Sequence, residues 1–306
     1  MTGPTVEAWP YPAEPVSLFA RLRGLPGAGW LDSGAPRAWA RYDIMVALPR
    51  RRLTWDAGCT WLQAGPEEPW QPVDADPWDV LAEWLGDGRA GVPGLPFSGG
   101  VLGCFGYDLG AAAVLGAADA RPSDGVPALS LGLYDCAVVL DHHRQAAWLA
   151  VQPGGEAVAA VLRSRLAASP PDEPPRFRAG PLHEEPGRPG YAAAFRAVQH
   201  YLREGDCYQV NLARAFHCGY SGDPWDAYCR LRRWTPAPFG AWLELPGGAN
   251  VLSLSPERFL AVSGDAIETR PIKGTRPRSS DPREDCQLAR ELAGSAKDRA
   301  ENVMIV

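Results

Sequence analysis

The stretch Glu268–Arg278, ETRPIKGTRPR, sets one lysine among prolines, a glycine and arginines directly after an apolar, strand-like run. Proline and glycine at this spacing predict a turn. Lys273 stands between an apolar neighbour and Gly274, and partial withdrawal from water lowers the pKa of a lysine towards the range where the free amine exists. Such an amine can act as a nucleophile. The stretch therefore predicts a reactive lysine at the end of a strand.

A carboxylate precedes this lysine by sixteen residues, at Glu257 in the string Ser255–Phe259, SPERF. Two consecutive strands can bring a glutamate and a lysine to one end of a sheet, which would supply a general acid beside the nucleophile. The competing interpretation is a solvated lysine in a surface turn and a Glu257–Arg258 dipeptide in ordinary ion pairs. Taken singly, each residue favours that interpretation, and only the whole constellation predicts an active site.

Two further carboxylates lie in Asp298–Glu301, DRAE, within a stretch of helical character from Glu284 to Ile305. Residues three apart share one face of a helix. Magnesium in proteins is held by one or two carboxylates together with water. Asp298 and Glu301 are therefore candidate magnesium ligands, and a charged face in contact with solvent is the alternative.

Composition restricts the class of protein. The 306 residues are 46% hydrophobic and 22% charged, enough for a substantial core, and the net charge of -6 argues against a nucleic-acid or anionic-membrane surface. Seven cysteines without a C-x-x-C pair suggest neither a disulfide framework nor a zinc site, which fits a reducing cytoplasm. No stretch is apolar enough to span a membrane. A small substrate or a protein partner is expected.

The pattern along the chain indicates an α+β protein with short strands, among them Tyr42–Leu48 and Leu133–Asp141. Residues 169–189 carry seven prolines and predict an exposed connection between a first region, 1–168, and a second, 190–306. The second region is predicted to begin with an amphipathic helix that ends near Gly205. After this helix, three runs have the composition of strands: Cys207–Phe216, Ala241–Leu245 and Asn250–Leu254. His142–His143 is interpreted as a turn, because neighbours on a strand point to opposite faces.

Nine strings along the chain resemble the chorismate-utilising enzyme family. They are WLDSG (30–34), RYD (41–43), GCFGYDLG (103–110), YD (134–135), GDCYQVNLARAF (205–216), APFGAWLEL (237–245), LSLSPERFL (252–260), ETRPIKGTRPR (268–278) and SAKDRAENVMIV (295–306). The resemblance covers nearly the whole chain. It implies an α+β fold in which large antiparallel sheets pack as a β-sandwich with surrounding helices.

The lysine at position 273 separates two branches of that family. Members that form anthranilate typically have alanine, in P-I-A-G-T, whereas members that form 4-amino-4-deoxychorismate have the lysine of P-I-K-G-T. The resemblance implies that Lys273 attacks C2 of chorismate as the C4 hydroxyl leaves, and that ammonia then adds at C4 and expels the lysine. It gives Glu257 the role of general acid and base. This transaminase-class reaction belongs to para-aminobenzoate and folate biosynthesis.

The resemblance also implies ligands and a partner. Gly274 and Thr275 would contact the substrate, while Glu301, with Asp298 more loosely, would hold Mg²⁺ against a chorismate carboxylate. Ammonia would come from a separate glutamine amidotransferase subunit. Bound L-tryptophan is a further expectation in the first half of the fold. The matching positions are Ser33, Trp39, Arg41, Tyr42, Pro238, Phe239 and Gly240, with the spacing from Ser33 to Arg41 one residue shorter than the family pattern.

Family members continue well beyond the D-R-A-E-N string, so the sequence is expected to be a fragment that holds the first part of the catalytic domain and lacks its C-terminal part. Two alternatives to an aminating enzyme stay open. One is a chorismate enzyme that forms anthranilate or isochorismate. The other is an inactive remnant that binds only a ligand or the amidotransferase.

Overall fold

The computed structural model of the chain describes residues 3–34, 40–86, 88, 91–107, 109–110, 125–169, 171–172 and 174–305. The chain forms two compact units, one of Met1–Pro171 together with Leu231–Val306 and one of Asp172–Arg230. This division differs from the predicted regions 1–168 and 190–306. The difference arises because two strands after residue 231 return to a sheet that the N-terminal residues begin.

The larger sheet of the first unit has seven antiparallel strands. In spatial order they are β1 (Thr5–Trp9), β10 (Ala146–Val151), β9 (Cys136–Asp141), β3 (Tyr42–Val46), β2 (Gly29–Asp32), β15 (Phe239–Glu244) and β16 (Asn250–Ser255). The predicted strands at 42–48, 241–245 and 250–254 are confirmed as β3, β15 and β16. Strand β2 therefore joins the N-terminal strands to those near the predicted active site.

A second antiparallel sheet has five strands, in the order β6 (Gln71–Val73), β5 (Cys59–Gln63), β4 (Arg51–Asp56), β8 (Leu129–Tyr134) and β7 (Gly100–Phe105). One apolar cluster contains Leu102 and Tyr134 from this sheet and Val139 and Leu243 from the larger one. The two sheets therefore pack against each other, and the expectation of packed antiparallel sheets is confirmed.

The helix α2 (Pro77–Leu85) covers the other face of the five-stranded sheet. Asp76 caps it by accepting a hydrogen bond from the Trp78 amide at 2.7 Å, and Pro77 occupies the first turn, where no amide donor is needed. Val80 and Trp84 then lie on one face and are buried in a cluster with strand residues. This cluster is separate from the one between the sheets.

Among the described residues, the first unit also contains α1 (Pro15–Phe19), α3 (Glu156–Ala167), a 3-10 turn (Pro246–Gly248), the hairpin of β17 (Ala261–Ser263) and β18 (Ala266–Glu268), α6 (Pro282–Gly294) and α7 (Ala296–Ile305). The second unit contains β11 (Arg178–Ala179) paired with β14 (Tyr220–Ser221), β12 (His183–Glu185) paired with β13 (Ala215–His217), and α4 (Arg188–Glu204). The helix α5 (Pro224–Trp234) crosses the boundary at residue 231. No helix in the described ranges is long and apolar enough to cross a membrane.

Helix α4 confirms the predicted amphipathic helix, and Gly205 ends it in the left-handed conformation at φ 83°. Two strand predictions are corrected. The run 133–141 is two strands in different sheets, because the chain changes sheets at the buried Asp135. In the run 207–216 only the last two residues are in a strand, β13 (Ala215–His217), because its partner β12 is only three residues long. The predicted helical stretch from Glu284 to Ile305 is confirmed as α6 and α7, which are separated at Ser295.

Candidate active site

Lys273 lies in an irregular segment, residues 269–280, between β18 and α6; this segment is named the lysine loop. The lysine is partly buried at the edge of a depression of about 260 Å³. The residues that line the depression are Lys273, Leu292, Asp298, Arg299, Asn302 and Val303. The predicted loop lysine and one of the two predicted carboxylates therefore meet in one concave site.

Helix α7 contacts the lysine loop on both sides of Lys273. Before the lysine, Asn302 Nδ2 donates a hydrogen bond to the Pro271 carbonyl at 3.3 Å. After it, Gly274 adopts φ +74°, and a Cβ added there would stand 2.5 Å from Cγ of Asp298. Glycine is therefore required at this position by backbone conformation and by space.

Asp298 is also close to a cation of the same loop. Its Oδ2 lies 3.6 Å from Nη2 of Arg276, and its side chain is only 15% exposed. Ser295 Oγ accepts a hydrogen bond from the Asp298 amide at 3.3 Å, as expected at the first turn of a helix. The Asp298 carboxylate is thus stabilised by Arg276 and by the positive end of α7.

A third attachment holds the far end of the lysine loop against α6. Arg278 donates from Nε and Nη2 to the two carboxylate oxygens of Asp285, at 2.7 and 2.8 Å. This paired hydrogen bond, with a further bond from the Ser279 amide, holds the pKa of Asp285 below its usual range. The loop is therefore fixed before, beside and after Lys273.

Glu257 lies two residues beyond the end of β16 and is exposed. It is absent from the described residues that line the depression around Lys273. Its segment is nevertheless bound to the start of the lysine loop, because Thr269 Oγ1 donates to the Phe259 carbonyl at 3.0 Å. Arg258 pairs with Glu268 of β18 alongside. Glu257 and Lys273 thus belong to two tethered segments. The strands that precede them, β16 and β18, lie in different sheets, so the two residues do not meet at one end of a shared sheet as the sequence predicted.

The two candidate magnesium ligands have different surroundings. Glu301 is 42% exposed and forms an ion pair at 3.8 Å with Lys297, whose side chain is 81% exposed. Asp298 is turned towards Arg276 and Gly274. The described residues contain no group of three or more His, Cys, Asp or Glu that could hold a metal. Magnesium takes few protein carboxylates, so Glu301 fits the ion and Asp298 fits it less well.

The positions predicted for tryptophan lie at one end of β2, β3 and β15. Ser33 donates from its amide and hydroxyl to Asp43 Oδ1, at 2.9 and 2.7 Å. Gly240 of β15 pairs with Asp32 of β2, so Pro238 and Phe239 lie close to Ser33 across the strand pair. Arg41 is bound to Asp141 through two hydrogen bonds and lies 4.7 Å from the ring centre of Tyr42. Trp39 lies outside the described residues.

A buried polar network adjoins these positions, and the sequence alone does not reveal it. His142 Nε2 lies 2.8 Å from Asp43 Oδ1, and its Nδ1 lies 2.7 Å from the Tyr11 hydroxyl. Burial lowers the pKa of His142, but the hydrogen bond and charge of Asp43 outweigh it, so that the pKa is raised. Arg232 binds both carboxylate oxygens of the neighbouring Asp32, at 2.5 and 3.0 Å. His142 does follow the strand β9 in a turn, as predicted, yet its side chain is 4% exposed.

Sequence reasoning also missed a signal in the composition. Of the 30 basic residues, only Lys273 and Lys297 are lysines, and the other 28 are arginines. Arginine stays protonated in proteins, whereas lysine can supply a free amine. In a chain that uses arginine almost everywhere, the lysine in the loop stands out as a primary amine. Asn302 was missed as well, because an asparagine inside a helix carries no motif of its own.

Comparison with known proteins places the chain in a family. The family described as chorismate binding enzyme matches residues 35–306. Aminodeoxychorismate synthase component 1 of Escherichia coli strain K12 is 43% identical over 294 residues, which are 94% of this chain and 63% of that protein. Anthranilate synthase component 1 of Streptomyces coelicolor is 32% identical, over 95% of this chain and 58% of that protein.

A solved structure has the same fold. Anthranilate synthase component I from Streptococcus pneumoniae aligns with a TM-score of 0.69 at 22% identity, over 88% of this chain and 60% of that one. The chain belongs to the chorismate binding enzyme family, as its sequence motifs indicate. It spans a little under two thirds of the length of the Escherichia coli relative.

Proposed function

We propose that the chain acts as an aminodeoxychorismate synthase component 1, which converts chorismate and ammonia to 4-amino-4-deoxychorismate through a covalent lysine intermediate. The observation that carries this proposal is Lys273 in the concave site formed with α7. Support comes from the relatives, since identity is 43% to an aminodeoxychorismate synthase component 1 and 32% to an anthranilate synthase component 1. The reaction would serve para-aminobenzoate and folate biosynthesis.

Lys273 would act as the nucleophile. Its neutral amine adds to C2 of chorismate, the ring double bonds shift, and the C4 hydroxyl leaves as water after taking a proton. Ammonia then adds at C4 and the lysine amine departs from C2, which regenerates the enzyme. The covalent intermediate divides one difficult displacement into two easier ones. Gly274 and Thr275, which follow the lysine in the loop, would contact the substrate.

Glu257 would supply the proton to the departing hydroxyl. A general acid must come within hydrogen-bond reach of the group that it protonates, directly or through one water. The tether from Thr269 to Phe259 keeps the segment of Glu257 next to the lysine loop. Its exposure leaves the carboxyl group accessible to a substrate seated beside Lys273.

Glu301 would hold Mg²⁺, with Asp298 as the weaker candidate. When bound, the ion would neutralise a carboxylate of dianionic chorismate and withdraw electrons from the ring. Glu301 fits this role because it is half exposed and its partner Lys297 can move away into solvent. The protein's own contribution is to orient the chorismate carboxylate towards α7 and so to place the ring next to the lysine.

Ammonia would come from a glutamine amidotransferase subunit, and the setting would be the cytoplasm. The seven cysteines all lie among the described residues and none forms a disulfide, in keeping with a reducing compartment. L-tryptophan would bind near Ser33, Arg41, Tyr42 and Pro238–Gly240. Support for that pocket is the buried polar network around Asp43, which holds Ser33 through its amide and its hydroxyl.

The direct test supplies chorismate, Mg²⁺ and ammonium to the purified chain and separates the products by chromatography. Ammonium replaces the amidotransferase, so no partner is needed. Formation of 4-amino-4-deoxychorismate, lost in Lys273→Ala and kept in Lys297→Ala, supports the proposal. Anthranilate or isochorismate as the product would instead assign the chain to another activity of the same family.

A further inference from the structure

Asn302 and Asp298 lie one turn apart on α7, and they attach to the lysine loop at the two sides of Lys273. We propose that both are positioning residues, which form a clamp that fixes the backbone of the reactive lysine. In this clamp Asp298 holds the loop and does not belong to the magnesium site. The inference rests on the proposed function. Neither residue has to touch the substrate in this role. Each acts through the loop.

The spacing of the two residues suits a clamp. Residues four apart on a helix lie on one face about one turn from each other. Asn302 reaches the carbonyl of Pro271, two residues before the lysine, while Asp298 contacts Gly274, the residue directly after it. One rigid helix face therefore holds both flanks of Lys273. A misplacement of about 1 Å can cost a large factor in rate when reacting atoms must be aligned.

The environment of Asp298 favours the clamp over metal binding. Its side chain is 15% exposed and has Arg276 at 3.6 Å, so its charge is already compensated inside the protein. A metal ion would have to displace the arginine and pull the carboxylate away from Gly274. Glu301 is more exposed and is paired with a solvated lysine, so it can turn towards an ion at lower cost.

The arrangement of lysines makes the clamp measurable without any substrate. A lysine-specific endoprotease can cut this chain only after Lys273 and after Lys297. The first bond lies inside the clamp, and a protease must open the backbone locally before it can cleave. Cleavage after Lys273 under native conditions therefore reports on the clamp, and cleavage after Lys297 reports on general opening of α7.

The variants Asn302→Asp and Asp298→Asn keep the size of each side chain and remove the donor or the charge. We expect cleavage after Lys273 to rise roughly tenfold in each, because Asn302→Asp loses a hydrogen bond and Asp298→Asn loses an ion pair with Arg276. Asn302→Gln, which keeps the amide donor, should restore slow cleavage. The matched control is Gln287→Ala, which removes a 3.1 Å bond to Glu291 on the neighbouring helix α6 and should leave cleavage unchanged. For Asn302→Asp, cleavage after Lys297 is the internal reference.

A second readout follows adduct formation with chorismate. Asn302→Asp should lower the rate constant for the Lys273 adduct at saturating chorismate roughly tenfold and leave the half-saturating concentration unchanged, because groups that bind chorismate are intact. Asp298→Asn should leave the Mg²⁺ requirement unchanged. The clamp is overturned if cleavage after Lys273 matches the Gln287→Ala control in both variants, or if Asp298→Asn raises the Mg²⁺ requirement. If wild-type protein forms neither adduct nor product, the proposed function fails, while the protease result still decides the clamp.

Discussion

Gly274 lies against Asp298 so closely that a methyl group on its Cα would stand 2.5 Å from the Asp298 carboxyl carbon. The contact joins the residue after the predicted nucleophile to the helix that carries the predicted metal ligand. Gly274 also has a φ of +74°, which residues with a side chain rarely adopt. The chemistry proposed for Lys273 depends on this junction.

Gly274→Ala is expected to abolish formation of the lysine adduct. Alanine would be strained at this positive φ, and its Cβ would clash with the Asp298 carboxylate, so the loop would have to move. Intact-mass measurement after addition of chorismate gives the adduct yield. Gly264→Ala is the matched control, because Gly264 also has a positive φ, +57°, but has nothing within 4 Å of its added Cβ. Equal yields in the two variants would contradict the account.

Glu301→Gln is expected to raise the Mg²⁺ concentration needed for half-maximal product formation by tenfold or more, roughly the cost of one lost charged ligand. Titration of Mg²⁺ at fixed chorismate and ammonium gives this value. Lys297→Gln tests whether Lys297 competes with Mg²⁺ for Glu301. It removes the cation that competes for Glu301, so it should lower the requirement slightly; a rise would argue against Glu301 as the ligand.

Arg232→Gln is expected to reduce the free energy of unfolding by about 3 kcal/mol or more, because it leaves the Asp32 carboxylate buried without its main cation. Asp32 is 1% exposed and Arg232 is 14% exposed. Denaturant unfolding gives the difference. The adjacent Arg233, which is exposed, provides the control, and Arg233→Gln should change stability by less than about 0.5 kcal/mol. A similarly small change in both variants would show that the Arg232–Asp32 pair does not contribute substantially to stability.

His142 is expected to make stability depend on pH. Its pKa is raised in the folded state, so its stabilising contribution is complete below the ordinary histidine pKa of about 6.5 and disappears as the pH rises through the folded value. The groups that face it are Asp43, Tyr11, Asp32 and Arg232. The loss of unfolding free energy in His142→Gln should therefore be larger near pH 6 than near pH 9. A loss in His142→Gln that is equal at the two pH values would contradict this account of the network.

Local sequence patterns predicted the strands and helices whose periodicity and end signals lie within their own residues. Helix α4 carries its apolar positions at helical spacing and a glycine at its end, and β15 and β16 are bounded by turn residues. The pattern of 133–141 failed, because a mostly apolar run with one aspartate looks the same whether it is one buried strand or two strands in different sheets. Only the pairing of each half with different partners separates them at Asp135.

The sequence indicated which residues belong to the candidate site, but it did not indicate which of them contact each other. Lys273, Glu257 and Glu301 stand in motifs, and the family's chemistry indicated their roles. The attachment of Asn302 to Pro271 spans 31 positions along the chain, and no periodicity links a helix to a loop at that distance. The network of His142 with Asp43 was missed for the same reason, since a strand pairing brings the two residues together.

The most direct test of the central claim is the mass of the intact chain after exposure to chorismate and Mg²⁺, followed by peptide mapping at its two lysines. The account predicts an adduct with the mass of chorismate less one water, located on Lys273, absent in Lys273→Ala and retained in Lys297→Ala, and released by ammonium as 4-amino-4-deoxychorismate. An adduct on Lys297, or product formed without Lys273, would contradict it.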